Sequence, residues 1–119
     1  MTAPERPEDC LFCKIVVGDV PADIVRADET TVAFRDINPQ APTHVLVVPR
    51  SHYANAAELA HHEPSGLADV LRAAADVAER EGVAEGYRVV FNTGAAAGQT
   101  VFHAHLHVLG GRSLQWPPG

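Results

Sequence analysis

The chain has 119 residues, 46% hydrophobic and 20% charged, which is ordinary for a single soluble globular domain. Its formal charge of −6, with no basic run, argues against nucleic acid as a partner. No apolar run approaches the ~20 residues that span a bilayer, and the N-terminus lacks a signal-peptide pattern. The sequence therefore predicts a cytoplasmic protein with no membrane partner.

The chain divides into a mobile tail, expected over residues 1–8, and a single domain over residues 9–119. A short helix is expected over residues 9–17, with Asp9 as its cap and Gly18 at its end. Apolar runs predict five strands, over residues 24–27, 31–37, 43–48, 87–92 and 101–109. The third strand is almost entirely apolar, so we expect it at the centre of the sheet.

A long amphipathic helix is expected between the third and fourth strands, from Pro64 or Ser65 to Glu81, with a short helical turn over residues 53–60 before it. Its apolar positions recur at helical spacing: Leu67, Val70, Leu71, Ala74, Val77 and Ala78. Five strands, several joined by hairpin-length links, and one long helix indicate an α+β fold built on a five-stranded antiparallel sheet.

Three histidines alternate with apolar residues in the sequence His-Ala-His-Leu-His-Val-Leu at residues 103–109. Side chains two apart on a strand lie on the same face, roughly 6.5–7 Å from each other. The histidines are therefore predicted to line one face of the fifth strand and to form a site, while the apolar residues face the core. The histidines are His103, His105 and His107, and the core residues are Ala104, Leu106 and Val108.

These residues match the His-φ-His-φ-His-φ-φ signature, so the chain resembles the histidine triad (HIT) superfamily, and in particular its Hint branch. The resemblance extends over the chain after Asp9, through Phe34-Arg35-Asp36-Ile37, residues 39–52, residues 98–102 and the tail Trp116-Pro117-Pro118-Gly119. It implies a HIT-like fold and a homodimer whose two five-stranded sheets join. It also implies hydrolysis of a purine nucleoside phosphoramidate, adenosine monophosphate joined to an amine.

His105 is the candidate nucleophile. An imidazole can attack phosphorus with one nitrogen when a backbone carbonyl accepts the N–H of the other. The central histidine of the family motif carries a covalent nucleotidyl intermediate, and the resemblance assigns that role to His105. His107 is expected to contact the phosphate or the leaving group, and histidine at this position implies water as the final acceptor. His103 completes the catalytic triad.

The residues expected to bind the nucleotide come from three parts of the chain. Asp36 can accept hydrogen bonds from both ribose hydroxyls, although it could instead cap the turn that follows it. The small-residue loop at residues 94–100 can bring backbone N–H groups to a phosphate, helped by the Thr100 hydroxyl. The resemblance adds Asn92 near the phosphate and ribose. The other expected contacts are Gly98 and Gln99 in the loop and Leu11, Phe12, Ile15, Phe34 and Ile37 around the base.

Cys10 and Cys13 have the spacing of a zinc-binding Cys-x-x-Cys pair. A closed structural site needs four ligands, and the candidates that complete it are His52 and His103. Such a site would clamp the N-terminal helix to the sheet. The alternative is two cysteines that simply pack in the core. The remaining histidines are expected to be structural or solvated: His44, His61 and His62.

Three other functions remain open. A dinucleoside polyphosphate hydrolase would use the same site with a different leaving group. A zinc hydrolase would bind its metal through all three triad histidines, but residues at i, i+2 and i+4 of a strand do not usually converge on one tetrahedral ion. A zinc-stapled nucleotide-binding dimer would need no catalysis.

Overall fold

The structure, a computed structural model, describes residues 7–119, so residues 1–6 of the predicted tail lie outside the described residues. One five-stranded antiparallel sheet has the strand order β1-β2-β3-β5-β4. This arrangement confirms the predicted α+β class, with the apolar β3 at the centre. The described elements are α1 Leu11–Val16, β1 Ile24–Ala27, β2 Thr31–Arg35, β3 Thr43–Pro49, α2 Ala56–His62, α3 Pro64–Arg80, β4 Tyr87–Val90 and β5 Leu106–Gly110.

The two faces of the sheet are covered by different helices. On one face, Val70 and Val77 of α3 pack with Val45 and Val47 of β3. Side chains alternate along a strand, so Leu46 faces the other way and joins the cluster that includes α1. The same alternation places Leu106 and Val108 of β5 in the α3 core, as predicted. It leaves His107 on the α1 face, which is where the site lies.

The predicted apolar stripe of α3 is wrong at one position, because the Leu71 side chain is 46% exposed. A helix resting on a sheet buries only part of its circumference. The buried stripe is shifted toward smaller residues at Gly66 and Ala73.

The fifth strand begins later than the sequence predicts, since its ladder with β3 starts at the pair Val47 and Leu106. The backbone of the preceding segment bonds elsewhere: the Ala104 N–H donates to the Tyr53 carbonyl, at 2.7 Å. His107 is therefore on the strand, whereas His103 and His105 precede it. The prediction that the sheet itself carries all three histidines is wrong.

Local hydrogen bonds account for the other boundary differences. The cap of α1 is Cys10 rather than Asp9, because the Cys10 Sγ accepts from the Cys13 N–H at 3.3 Å. Strand β2 ends at Arg35, and the Asp36 carboxylate then accepts from the Asn38 N–H. Helix α2 starts after its Asn55 cap and so lies later than residues 53–60. No helix in the part of the chain that the structure describes is long and apolar enough to cross a bilayer.

Candidate functional site

A cleft lies between α1, the end of β2, the loop before β5, and the triad histidines. Its volume is about 620 Å³, within the range of pockets that hold small ligands. Both His105 and His107 line it. Eight of the ten predicted nucleotide contacts also line it, and these are Leu11, Phe12, Ile15, Phe34, Asp36, Ile37, Gly98 and Thr100. We call this space the triad cleft.

His105 is held by a hydrogen bond to the backbone. Its Nδ1 lies 2.8 Å from the carbonyl oxygen of His103, so this nitrogen carries the proton and donates it. The other nitrogen, Nε2, is then left with a lone pair in the neutral ring. Burial lowers the pKa of His105, outweighing the hydrogen bond to His103 and the charge of Asp36, which raise it. The ring is therefore neutral at pH 7, with one nitrogen available as a nucleophile.

His107 makes its contact with His44, a residue of the central strand. The backbone N–H of Gln40 donates to Nδ1 of His44 at 3.0 Å, which assigns the proton of the neutral His44 ring to Nε2. That Nε2–H donates to Nδ1 of His107 at 2.9 Å. By the same reasoning the His107 proton is on Nε2, a buried atom with no hydrogen-bond partner in the described chain.

Burial, together with the neighbouring His105 and His44 rings, lowers the pKa of His107 to about 4. The neutral His107 ring thus offers an N–H group to a ligand in the triad cleft. A buried donor without a partner is costly, and such donors are typical of sites that a ligand completes.

Asp36 lies beside His44 and lines the triad cleft. One of its carboxylate oxygens accepts from the Asn38 N–H at 2.8 Å, while the other is 3.5 Å from Nε2 of His44. Asp36, His44 and His107 are close enough to suggest a metal site. The Gln40 contact argues against one, because it leaves His44 with a proton, not a lone pair, on the nitrogen that faces the other two.

The loop before the triad places two predicted residues away from the cleft. The Gln99 side chain is buried, and its amide group forms hydrogen bonds with the backbone. It donates to the carbonyls of Ala54 and Val101 and accepts from the Gly94 N–H. Gln99 therefore braces the loop and is not positioned to touch a nucleotide. Asn92 does not line the cleft either, although its amide lies close to Gly98 at the rim. Gly98 itself has a φ of +95°, a conformation that favours glycine.

The four predicted metal-ligating residues meet at the start of α1, with all four ligand atoms within 4.8 Å of one another. We call Cys10, Cys13, His52 and His103 the Cys/His cluster. Nδ1 of His103 is 3.5 Å from Sγ of Cys10 and 3.4 Å from Sγ of Cys13. Nδ1 of His52 is 3.4 Å from Sγ of Cys13 and 3.1 Å from Nδ1 of His103.

The three nitrogen–sulfur distances and the protonation states fit a tetrahedral metal ion, and the nitrogen–nitrogen distance of 3.1 Å is slightly short for one. Ligand atoms at about 2.0–2.3 Å from tetrahedral zinc lie about 3.3–3.8 Å from one another. The Nε2–H of His103 donates to the Pro49 carbonyl at 2.9 Å, which leaves Nδ1 as the ligand and supplies the outer contact that orients a metal-bound histidine. Burial lowers the pKa of His103 to about 4 and also lowers that of His52. Neutral imidazole is the form that binds a metal.

The three triad imidazoles have three different partners. His103 belongs to the Cys/His cluster, His105 bonds a carbonyl, and His107 bonds His44. The rings therefore do not converge on one ion, which argues against the zinc-hydrolase alternative. It also means that the side chain of His103, predicted to be both catalytic and metal-ligating, lies in the cluster and away from the triad cleft.

His44 is a site residue that the sequence pattern does not identify, since the pattern predicts only a structural role for it. A signal was present in the pattern: His44 lies two residues before Leu46 and so shares its face of β3. That face is also the face of His107, which pairs with Leu46 in the ladder. That β3 pairs with β5, however, is known only from the tertiary structure.

A HIT domain model matches residues 17–114 of the chain. The chain belongs to the HIT family. This HIT protein is 51% identical over 112 residues to an uncharacterized HIT-like protein of Synechococcus elongatus, covering 94% of the chain and 98% of that relative. It is 44% identical to a 14 kDa zinc-binding protein of Zea mays, covering 92% of the chain and 87% of that relative.

Solved structures agree with this assignment. A HIT family hydrolase from Legionella pneumophila superposes with a TM-score of 0.89 at 49% identity, covering 93% of this chain and 100% of that one. A HIT family hydrolase from Clostridium thermocellum gives a TM-score of 0.89 at 48% identity, covering 92% and 96%. The five-stranded sheet and its helices thus form the HIT fold.

Proposed function

We propose that this HIT protein is a hydrolase that cleaves the P–N bond of purine nucleoside phosphoramidates through a covalent nucleotidyl-histidine at His105. The observation that carries the proposal is the contact of His105 Nδ1 with the His103 carbonyl, at 2.8 Å, beside a cleft of nucleotide size. It leaves a neutral imidazole with a lone pair on Nε2. The names of the Legionella and Clostridium structures support hydrolysis as the reaction class.

The substrate would lie with its base toward α1 and its phosphate toward the triad. The rings of Phe12 and Phe34 meet edge to face at 5.4 Å between centroids and offer an apolar surface to a purine. The Asp36 oxygen that does not accept from the Asn38 N–H would accept from the ribose. Backbone N–H groups near Gly98 and the Thr100 hydroxyl would approach the phosphate, with Asn92 at the edge of that loop.

The reaction has two balanced steps. Nε2 of His105 attacks phosphorus, the P–N bond breaks, and the amine departs after taking up one proton, because a protonated amine is much the better leaving group. Water then attacks the phosphohistidine, the bond between phosphorus and His105 breaks, and one proton is released. The sum consumes one water and yields the nucleoside monophosphate and the amine.

His107 would stabilise the charge that develops on the phosphoryl oxygens in both steps. Its Nε2–H is buried and has no hydrogen-bond partner among residues 7–119, so a donor is in place before the substrate arrives. His44 holds that donor in position through the bond to Nδ1 of His107, at 2.9 Å. We therefore assign His44 as a positioning residue.

Replacing His44 by phenylalanine is expected to lower kcat by about 100-fold, the lower end of the range that a placed proton-transfer group supplies. The substitution removes the donor to His107 Nδ1, so the His107 ring loses its fixed tautomer. KM should change little, because His44 does not line the cleft. Steady-state kinetics with an adenosine phosphoramidate would measure this, with the exposed His61→Phe as the matched control. Unchanged kcat in folded His44→Phe would refute the assignment.

We also propose that the Cys/His cluster binds Zn²⁺ as a structural ion, with Cys10, Cys13, His52 and His103 as ligands. The name of the maize relative supports zinc as the metal. A closed four-ligand site has no open position for water, so the ion would not itself activate a nucleophile. Thiols that remain reduced for metal binding agree with the predicted cytoplasmic location.

The homodimer stays a proposal and rests on the edge of the sheet. Strand β4 pairs only with β5 among the described strands, and Val89 on it is 37% exposed. An unpaired edge invites pairing with a second copy, and a two-fold symmetric dimer covers it. Light scattering should give twice the 12.7 kDa chain mass.

A matched pair of variants sharpens that measurement. Val89→Asp should shift the protein to the monomer mass, because it places a charge at the proposed interface. Val17→Asp, at an exposed apolar residue next to α1, should leave the dimer intact. A wild-type mass of one chain at every concentration would contradict the dimer.

Two alternatives give different results in one assay. Steady-state turnover of an adenosine phosphoramidate by wild type and His105→Ala tests the proposal directly. Faster turnover of a dinucleoside polyphosphate would favour the runner-up hydrolase, which needs the same residues. Nucleotide binding without turnover of either compound would favour a zinc-stapled binding dimer.

A further inference from the structure

His103 connects the Cys/His cluster to the proposed nucleophile. Its side chain lies in the cluster, with Nδ1 at 3.4 and 3.5 Å from the two thiol sulfurs. Its backbone carbonyl accepts the proton of His105 Nδ1 at 2.8 Å. A movement of the His103 backbone would therefore break the one contact that assigns the His105 tautomer.

The sheet does not hold this segment. Pairing of β5 with β3 begins at Leu106, after both histidines. The segment is instead anchored by the Ala104 N–H on the Tyr53 carbonyl, by the His103 Nε2–H on the Pro49 carbonyl, and by the contacts within the Cys/His cluster. Two of these three anchors act through the His103 side chain, so its position depends on what the cluster holds.

Phe12 makes a second connection between the same two places. It lies between the cysteines on α1, and its ring is buried with its centroid 5.0 Å from His105 and 6.1 Å from His103. The first turn of α1 is capped by the Cys10 sulfur. Fixing the two thiols thus fixes the ring that packs edge-on against His105.

A metal ion would hold the two histidine rings of the cluster in this arrangement. The Nδ1 atoms of His52 and His103 lie 3.1 Å apart, and two nitrogen lone pairs at that distance repel each other unless a cation or a shared proton lies between them. Without a metal ion, a proton shared between the two nitrogens, or a turn of one ring, has to replace the coordination. Because His103 Nε2 is bonded to Pro49, such a turn would move the His103 backbone or break that bond.

We propose that a metal ion in the Cys/His cluster positions His105, through the His103 carbonyl and the Phe12 ring, and so sets its tautomer. His103 is then a positioning residue for the reaction rather than a group that touches the substrate. This inference rests on the proposed function of His105 and goes beyond it.

The test reads the His105 ring itself. Long-range ¹H–¹⁵N spectra of histidine-labelled protein would be recorded with Zn²⁺ bound and after chelation. The zinc-loaded protein should show His105 as the pure Nδ1–H tautomer, and the metal-free folded protein should show a mixture of both. On the same samples, kcat for an adenosine phosphoramidate should fall by about 10²-fold on chelation, the scale of an ångström-sized misplacement, while KM changes less than about threefold.

A control separates positioning from general loosening of the helix. Val16 is buried on α1 but lines neither the triad cleft nor the cluster. Val16→Ala should lower Tm while leaving the His105 tautomer and kcat as in wild type. If Val16→Ala instead shows the same tautomer mixture as the metal-free protein, the stability of the helix alone controls His105. The proposal would then be wrong.

If chelation unfolds the protein, His52→Ala replaces it, because this variant removes one half-buried ligand and leaves three. It should give mixed tautomers and reduced kcat. A pure Nδ1–H tautomer with unchanged kcat, in this variant or in folded metal-free protein, would overturn the inference. The spectra do not depend on turnover, so they stay decisive even if His105→Ala shows that the proposed reaction is wrong.

Discussion

Replacing His105 with alanine is expected to lower turnover of an adenosine phosphoramidate by at least about 10⁴-fold, the scale of loss when a covalent nucleophile is removed. The change deletes the ring whose Nε2 lone pair forms the intermediate. Nucleotide affinity should stay within a few-fold of wild type, because Asp36, the loop and the apolar wall of the cleft are untouched. Steady-state kinetics and calorimetric titration with adenosine monophosphate would measure the two quantities separately.

Chemical rescue makes this prediction specific to the ring. His105→Gly leaves a space of imidazole size beside Phe12, so added imidazole should restore part of the activity. Imidazole should leave the turnover of His61→Ala unchanged, because this variant of an exposed histidine should be as active as wild type. Near-normal turnover by His105→Ala would show that the nucleophile is assigned to the wrong residue.

Removing zinc is expected to lower Tm by about 10–15 °C, which corresponds to a loss of roughly 3 kcal/mol for a domain of this size. Metal binding energy is coupled to folding, and the ligands join α1 to the loops around Pro49 and Ala104. The drop is limited because the α3 side of the sheet has its own core, which the metal does not touch. Calorimetry with and without chelator would measure the shift.

Comparing Cys13→Ser with wild type, each with and without chelator, tests whether the variant and the chelator act on the same site. If both act by emptying the same site, the variant should have the Tm of the chelated wild type, and chelator should change it no further. Additive losses would mean that the thiol stabilises the fold without a metal. Metal analysis comes first: absence of zinc from protein purified without chelator would leave the two cysteines as core residues.

Periodicity in the sequence was enough to predict the sheet, its central strand and the main helix. An unbroken apolar run such as β3 is buried only when both faces of the sheet are covered. The apolar stripe of an amphipathic helix such as α3 is buried only when the helix packs against a core. The spacing Cys10-x-x-Cys13 also indicated a metal site, because two thiols one helical turn apart reach a common point. These features depend on residues that are close together in the sequence, so the sequence alone is enough to predict them.

The directions of the histidines were decided only by the tertiary structure. The alternating pattern placed three imidazoles on one strand face, but the ladder starts at Leu106, so the residues before it take their orientation from distant partners. His103 turns to thiols 90 and 93 residues away in the chain, and His107 to His44, 63 residues away. Such contacts depend on how the strands are ordered and on which backbone groups remain unpaired at their ends. Hydrophobic periodicity predicts neither the order of the strands nor the backbone groups that remain unpaired.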